Sequence, residues 1–167
     1  GIVWVAESLS PSIIRLTMDG RAETVLTQCD GEPLLWPNDL CIGPDGALYV
    51  TDSGILIGDF LVGSSPPENY MSLRYDGRVY RLDRATGQAT LLDRGFLFTN
   101  GIAFGPDGLL YVNETLTGNV YRYAIGAGGT AGPRELFGNV LDPSYTAAGM
   151  RGPDGMAFGA DGRLYVT

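Results

Sequence analysis

Three gapless copies of one turn-centred motif, an excess of Gly and Pro over an ordinary apolar content, and short alternating strands between the copies predict an all-β protein built as a β-propeller. The copies read PNDLCIGPDGALYVTD from residue 37, TNGIAFGPDGLLYVNE from residue 99 and PDGMAFGADGRLYVT from residue 153, spaced by 62 and 54 residues. The chain of 167 residues holds 25 Gly and 10 Pro, yet 44% of it is apolar, so these residues read as tight turns between strands and not as disorder.

Each element follows from the copies in order. Leu40-Cys41-Ile42 is a short apolar strand, Gly43-Pro44-Asp45-Gly46 is a turn, and Ala47 to Thr51 is the returning strand. Arg78-Val79-Tyr80-Arg81-Leu82 alternates as a third strand, Asp83 to Gly87 turns, and Gln88 to Leu92 alternates as a fourth. In the next copy Asn119 to Ala124 and Arg134 to Phe137 take the third and fourth places. Four antiparallel strands per repeat make a propeller blade, and neither WD nor kelch signatures are present. The expected division is a broken blade over 1–27, blades over 37–93 and 99–138, and the start of another over 153–167. Val3-Trp4-Val5-Ala6-Glu7 aligns with the second strand of the later copies, so the first copy lacks its front half and the chain reads as a fragment of about three blades. Tyr49, Tyr111 and Tyr165 recur as flat residues that pack between sheets.

Composition narrows the chemistry. The formal charge is −8, all eleven basic residues are Arg, and there is no Lys and no His. That excludes a Ser-His-Asp or Cys-His nucleophile, a His-ligated zinc, a P-loop lysine and a Schiff-base amine. Oxygen ligands from Asp, Glu and Asn remain, a set suited to hard cations such as calcium. An acidic chain with scattered Arg is a poor partner for nucleic acid. No apolar run is long enough to span a bilayer and no charged-then-apolar leader opens the chain, so no membrane partner and a cytoplasmic location are expected. Cys29 and Cys41 are expected as reduced thiols, with Cys41 buried in a strand.

The innermost strand of a blade begins at one mouth of the central channel. Asn38, Asn100 and Asp154 occupy the position just before that strand in three successive copies, and all stay polar while Leu40, Ile102 and Met156 stay apolar. Converging on one axis, they make a partial oxygen cage for a divalent ion; the alternative is that they terminate turns. The second strand returns to the same mouth and ends in Asp52, Glu114 or Glu7, of which Glu7 and Glu114 are expected to brace neighbouring loops. Between the second and third strands one copy has only Leu116-Thr117-Gly118, whereas the other inserts Ser53 to Leu73, an apolar segment that reads as a lid, a pocket wall or a variable loop. Residues 139–152, with Tyr145, Met150 and Arg151, form a second long connection on that face.

WPNDLCIGPDGALYVTDSG, GRVYRLDRATGQATLLDRGFLFTNGIAFGPDGLLYVNET and RGPDGMAFGADGRLYV resemble the senescence marker protein (regucalcin), gluconolactonase and luciferin-regenerating enzyme family. The resemblance implies a six-bladed propeller that holds one divalent cation at the channel mouth and hydrolyses lactones or related esters. It implies calcium first, with zinc, magnesium or manganese as alternatives, and a small-molecule lactone or ester as substrate. Asn100 and Asp154 then become metal ligands, Asn38 a metal- or substrate-contacting residue, and Asp52 an acid that assists catalysis beside Asp154. The family's remaining ligand, a Glu before the innermost strand of the first blade, falls upstream of this chain, and Glu7 lies in the wrong strand to replace it. Some sugar-acid-binding members carry Arg where this chain has Trp36; the resemblance thus implies that Trp36 contacts substrate, and its apolar ring weakens the case for a plain aldonolactone. Two other readings remain: a strictosidine-synthase-like propeller enzyme, which shares GRVYRLD-, TLL- and NGIAF-like segments, and a non-catalytic propeller that binds a ligand or protein.

Overall fold

The computed structural model describes residues 1–144 and 149–167. Tyr145, singled out in the second long connection, lies outside the described residues.

Among the described residues the strands form consecutive antiparallel sheets. The first has three strands, β1 (Ile2–Glu7), β2 (Ser12–Thr17) and β3 (Ala22–Leu26), followed by a small hairpin of β4 (Gln28–Cys29) and β5 (Glu32–Pro33). The second sheet is β6 (Pro37–Ile42), β7 (Leu48–Asp52), β8 (Gly77–Leu82) and β9 (Ala89–Phe96), side by side in chain order. The third repeats it with β10 (Thr99–Phe104), β11 (Leu110–Glu114), β12 (Asn119–Tyr123) and β13 (Glu135–Asn139), and β14 (Met156–Phe158) pairs with β15 (Leu164–Val166) in a fourth. Among the described residues helical structure is confined to α1 (Ile57–Phe60) and one 3₁₀ turn (Tyr70–Ser72), both inside the long insertion. The first strands of successive sheets neighbour one another, β6 against β10 and β10 against β14, which is how four-stranded blades stand around a common centre.

The repeated motif explains its own hairpin. In the first copy Asp45 accepts hydrogen bonds from the Ala47 N–H (3.1 Å) and the Tyr49 hydroxyl (3.1 Å). Asp107 and Asp161 do the same for Leu109 with Tyr111 and for Arg163 with Tyr165. One carboxylate thus ties the turn to the returning strand in every copy. The turn needs Gly46 at φ +77°, and Gly43 is fixed differently: a Cβ there would stand 2.4 Å from the Tyr49 ring. Tyr49 meets Phe104 of the next sheet edge-on with centroids 4.9 Å apart, and Tyr111 meets Phe158 in the same way at 5.0 Å. Tyr49 and Tyr111 therefore stitch neighbouring sheets together as expected, whereas Tyr165 keeps its turn contact but is 57% exposed.

Two apolar clusters fill the gaps between sheets. Ile13, Leu34, Leu48, Tyr80 and Leu82 pack between the first and second, and Tyr49, Val79, Phe96, Leu110 and Val112 between the second and third. Both cysteines are free; Cys29 is the buried one and Cys41, expected to be buried, is only half-buried at the edge of the second apolar cluster, where desolvation still pushes its thiol up to about 12.

Candidate functional site

Asn38 and Asn100 are released from their strands by a local irregularity. The β6–β7 register shifts between Pro37 and Leu40, and the β10–β11 register shifts at the equivalent place, between Thr99 and Ile102. A bulge of this kind re-aims a side chain that regular alternation would commit to one sheet face. The backbone donors freed from the ladder find other acceptors: Asp39 N–H donates to Thr51 Oγ1 (3.1 Å), Gly101 N–H to Asn113 Oδ1 (3.1 Å) and to the Asp154 carbonyl (2.9 Å). Asp39, between the two bulges, accepts from the N–H groups of Leu40 (2.8 Å) and Ile102 (3.1 Å). Burial raises its pKa, and the charge of Asp154 acts in the same direction.

Each asparagine amide is held in one orientation by a hydroxyl whose own proton is already committed. Ser53 Oγ donates to the Thr99 carbonyl (3.0 Å), so it accepts from Asn38 Nδ2 (2.9 Å). Thr115 Oγ1 donates to the Pro153 carbonyl (2.8 Å), so it accepts from Asn100 Nδ2 (3.2 Å). The amide nitrogens are thereby fixed on the hydroxyls, and neither Asn Oδ1 accepts a hydrogen bond from any described residue. The sequence reading missed Ser53 and Thr115. Their signal was present, since each follows the acid that ends the second strand in its copy.

Asn38, Asn100 and Asp154 line a single cavity of about 520 Å³, together with Thr115, Trp36 and Phe98. The structure therefore brings together the three expected oxygen-bearing residues and Trp36. Asn100 is buried, Asn38 half-buried and Asp154 exposed. Among the described residues no three of Asp, Glu, Cys or His stand close enough to hold a metal, and the group at this cavity has a single carboxylate beside two amide oxygens. Uncommitted amide oxygens with one carboxylate are a donor set that fits a hard divalent cation, with the remaining positions left to other ligands.

Asp52 is placed elsewhere. It is fully buried, does not line the cavity, and its carboxylate accepts from the N–H groups of Leu35 (2.7 Å), Trp36 (3.0 Å) and Gly54 (2.9 Å). Burial raises its pKa, and the three donors pull it back towards ionisation. Glu114 does the same work one sheet later, accepting from Leu97 N–H (2.6 Å) and the Tyr121 hydroxyl (3.2 Å), and Glu7 accepts from Leu9 N–H (2.7 Å) in its own turn. The acid at the end of the second strand thus anchors the segment that enters the innermost strand of its own sheet, in the copy with Asp52 as in the copy with Glu114. Here Asp52 holds the backbone of Trp36 in place, one step removed from the cavity.

The insertion after β7 forms the apolar side of the cavity. Phe60 at the end of α1, with Leu61 and Pro66 beyond it, lines the cavity. Phe60 is 2% exposed and packs against Trp36 (5.6 Å, edge-on) and Phe98 (5.0 Å, tilted). Of the alternatives for this segment, the pocket wall is the one observed.

The whole of residues 3–167 matches the family model described as SMP-30/Gluconolactonase/LRE-like region. A gluconolactonase of Zymomonas mobilis is 28% identical over 172 aligned positions, covering 100% of this chain and 46% of the relative. Strictosidine synthase-like 10 of Arabidopsis thaliana is 25% identical, covering 100% of this chain and 41% of the relative. The solved gluconolactonase of Xanthomonas campestris superposes with a TM-score of 0.75 at 26% identity, over 99% of this chain and 52% of that one. The chain therefore spans about half the length of the relatives it matches. With the repeated four-stranded sheets, the shared cavity and a family match over nearly every residue, the chain belongs to the SMP-30/gluconolactonase/LRE-like family.

Proposed function

We propose that this chain forms part of a divalent-metal-dependent hydrolase of lactones or related esters, on a propeller of the six-bladed type. The observation that carries the reading is the pair of fixed amides. Asn38 and Asn100, whose Oδ1 atoms accept no hydrogen bond among the described residues, line the cavity that Asp154 also lines. Similarity to gluconolactonases from two bacteria supports the reaction class.

Asn38, Asn100 and Asp154 would hold the cation, calcium first among hard ions, with zinc, magnesium or manganese as alternatives. When bound, it supplies Lewis-acid polarisation of the substrate carbonyl and acidifies water. This chain's own residues do the rest. The remaining N–H of Asn38 Nδ2 orients the substrate carbonyl, and Asp154, the carboxylate that lines the cavity, accepts the proton of the attacking water. The water oxygen bonds to the carbonyl carbon, the ring C–O bond breaks, and the proton passes to the departing alkoxide, giving the open hydroxy acid. Trp36 packs against the substrate. Asp52 contributes by holding Leu35 and Trp36, since its oxygens are occupied by three backbone donors.

Asp154→Ala in the full-length protein tests this directly. Stoichiometric divalent metal by elemental analysis and lactone turnover by pH-stat should both be lost. Unchanged turnover would overturn the assignment. Similarity to a strictosidine synthase-like protein favours a second reading, a propeller enzyme of different chemistry. Wild-type protein without bound metal and without lactone turnover would select it.

A further inference from the structure

One position of the repeat points to the kind of substrate. Two residues before Asn38, Asn100 and Asp154 stand Trp36, Phe98 and Gly152, and all three line the cavity. The copies that carry aromatic rings place them side by side: Trp36 and Phe98 meet edge-on with centroids 5.3 Å apart. Phe98 holds its ring there from a left-handed backbone, φ +70°, a conformation that bulky residues rarely adopt and that tends to accompany functional sites. In the third copy no side chain fits. A Cβ on Gly152 would stand 1.8 Å from the Thr115 carbonyl oxygen, so this part of the rim is backbone only. Phe60 from the insertion closes the aromatic corner from the far side.

Of the polar groups that line the cavity, Asp154 and the Asn38 and Asn100 amide oxygens are those assigned to the cation, and Arg151 is already engaged in an interaction of its own. Thr115 Oγ1 is used by the Asn100 amide and the Pro153 carbonyl, and the Asn38 and Asn100 amides each spend one N–H on a hydroxyl. A substrate with a hydroxyl on every ring carbon would turn several of them onto Trp36, Phe60, Phe98 and Pro66, where they would lose water and gain no partner. A ring or chain of carbon gains there.

We infer, building on the lactone-hydrolase reading, that this pocket takes lactones or esters bearing an aromatic ring or an alkyl chain in preference to polyhydroxylated sugar lactones, with Trp36 and Phe98 as the residues that set the preference. Apolar discrimination of this kind is worth about 10- to 200-fold in kcat/KM.

The test compares dihydrocoumarin with glucono-δ-lactone on the full-length protein, corrected for spontaneous hydrolysis. Dihydrocoumarin should be turned over with kcat/KM at least about tenfold higher, and Trp36→Asn should shift the ratio about tenfold towards the sugar lactone. Trp36→Leu, which keeps apolar volume, should fall between them, while the backbone bonds of residue 36 to Asp52 and Ser53 survive either change. Equal or inverted preference, or a ratio unmoved in Trp36→Asn, overturns the inference and leaves lactone hydrolysis standing. If neither lactone is hydrolysed, the hydrolase reading falls, and calorimetric binding to Asp154→Asn protein decides the pocket separately. Saturable dihydrocoumarin binding, at least about tenfold tighter than glucono-δ-lactone and weakened by Trp36→Asn, upholds the apolar pocket, and its absence overturns it.

Discussion

Thr115 shows how much a single hydroxyl decides in this molecule. Because its proton goes to the Pro153 carbonyl, only the nitrogen of the Asn100 amide can face it, and the amide oxygen is left for the cavity. Valine has almost the same shape and can neither donate nor accept. Thr115→Val should therefore free the amide to rotate and raise the cation dissociation constant about tenfold by calorimetry, the lower end of what partners behind a ligand usually contribute. Thr115→Ser should restore it to within about twofold, because serine keeps both hydrogen bonds. A purely structural role would lower the melting temperature in both variants and leave the dissociation constant unmoved.

Strands in this fold are held at their outer edge by a different device. Arg134, just before β13, pairs with Asp93 of β9 in the preceding sheet (2.8 Å), donates to the Arg94 carbonyl (2.7 Å) and lies 3.7 Å above the Phe96 ring. The Tyr123 hydroxyl donates to the same Asp93 carboxylate (2.8 Å). Burial works against the charge on Asp93, but the hydrogen bonds from Arg134 and Tyr123 outweigh it and hold the carboxyl below its ordinary value of 3.8. Arg134→Ala should cost about 2 kcal/mol, seen as a lower urea midpoint at unchanged m-value, since it strips a cation from an aromatic face and leaves a half-buried carboxylate without its cationic partner. The pH dependence has a definite sign. A lowered folded pKa adds stability above about 3.8 and loses it as pH falls through the folded value, so wild type should exceed Asp93→Asn at neutral pH and converge with it in strong acid. Glu7, Asp52 and Glu114 show the same economy on the cavity side, where one acid per copy satisfies the backbone of an entering or turning segment.

Across the molecule, the proposed ligands come from three different sheets: Asn38 from the second, Asn100 from the third and Asp154 from the entry to the fourth. A cation held by all three ties those sheets together, so it binds the folded state and not the unfolded chain. In the full-length protein a free cation concentration a hundredfold above the dissociation constant should add about 2.7 kcal/mol of stability. Differential scanning calorimetry should show a rise in melting temperature with calcium and its reversal by chelator, and neither response in Asp154→Ala. A melting temperature indifferent to both would count against the cation site.

Much of this was legible in the residues themselves, for reasons of periodicity. A turn that needs Gly46, an Asp45 that must cap it and a Tyr49 that must reach back to that Asp impose a local pattern, and a local pattern survives in sequence as a repeat. The position of Asn38, Asn100 and Asp154 in that repeat was enough to predict that they share one mouth. Their amide orientation was not legible, because it depends on where Ser53 and Thr115 send their protons, across to carbonyls 46 and 38 residues away. The backbone partners of Asp52 were not legible either. Its chemistry is that of a catalytic acid, and only the fold delivers three backbone N–H groups to it and keeps it out of the cavity. The sequence by itself determined an all-β repeat in which three oxygen-bearing residues share one position, in a chain that has no histidine. The tertiary structure decided which oxygens remain unclaimed and that Phe60, folded back from the insertion, joins Trp36 and Phe98 in one aromatic wall, because both depend on contacts between segments whose separation along the chain carries no periodic signal.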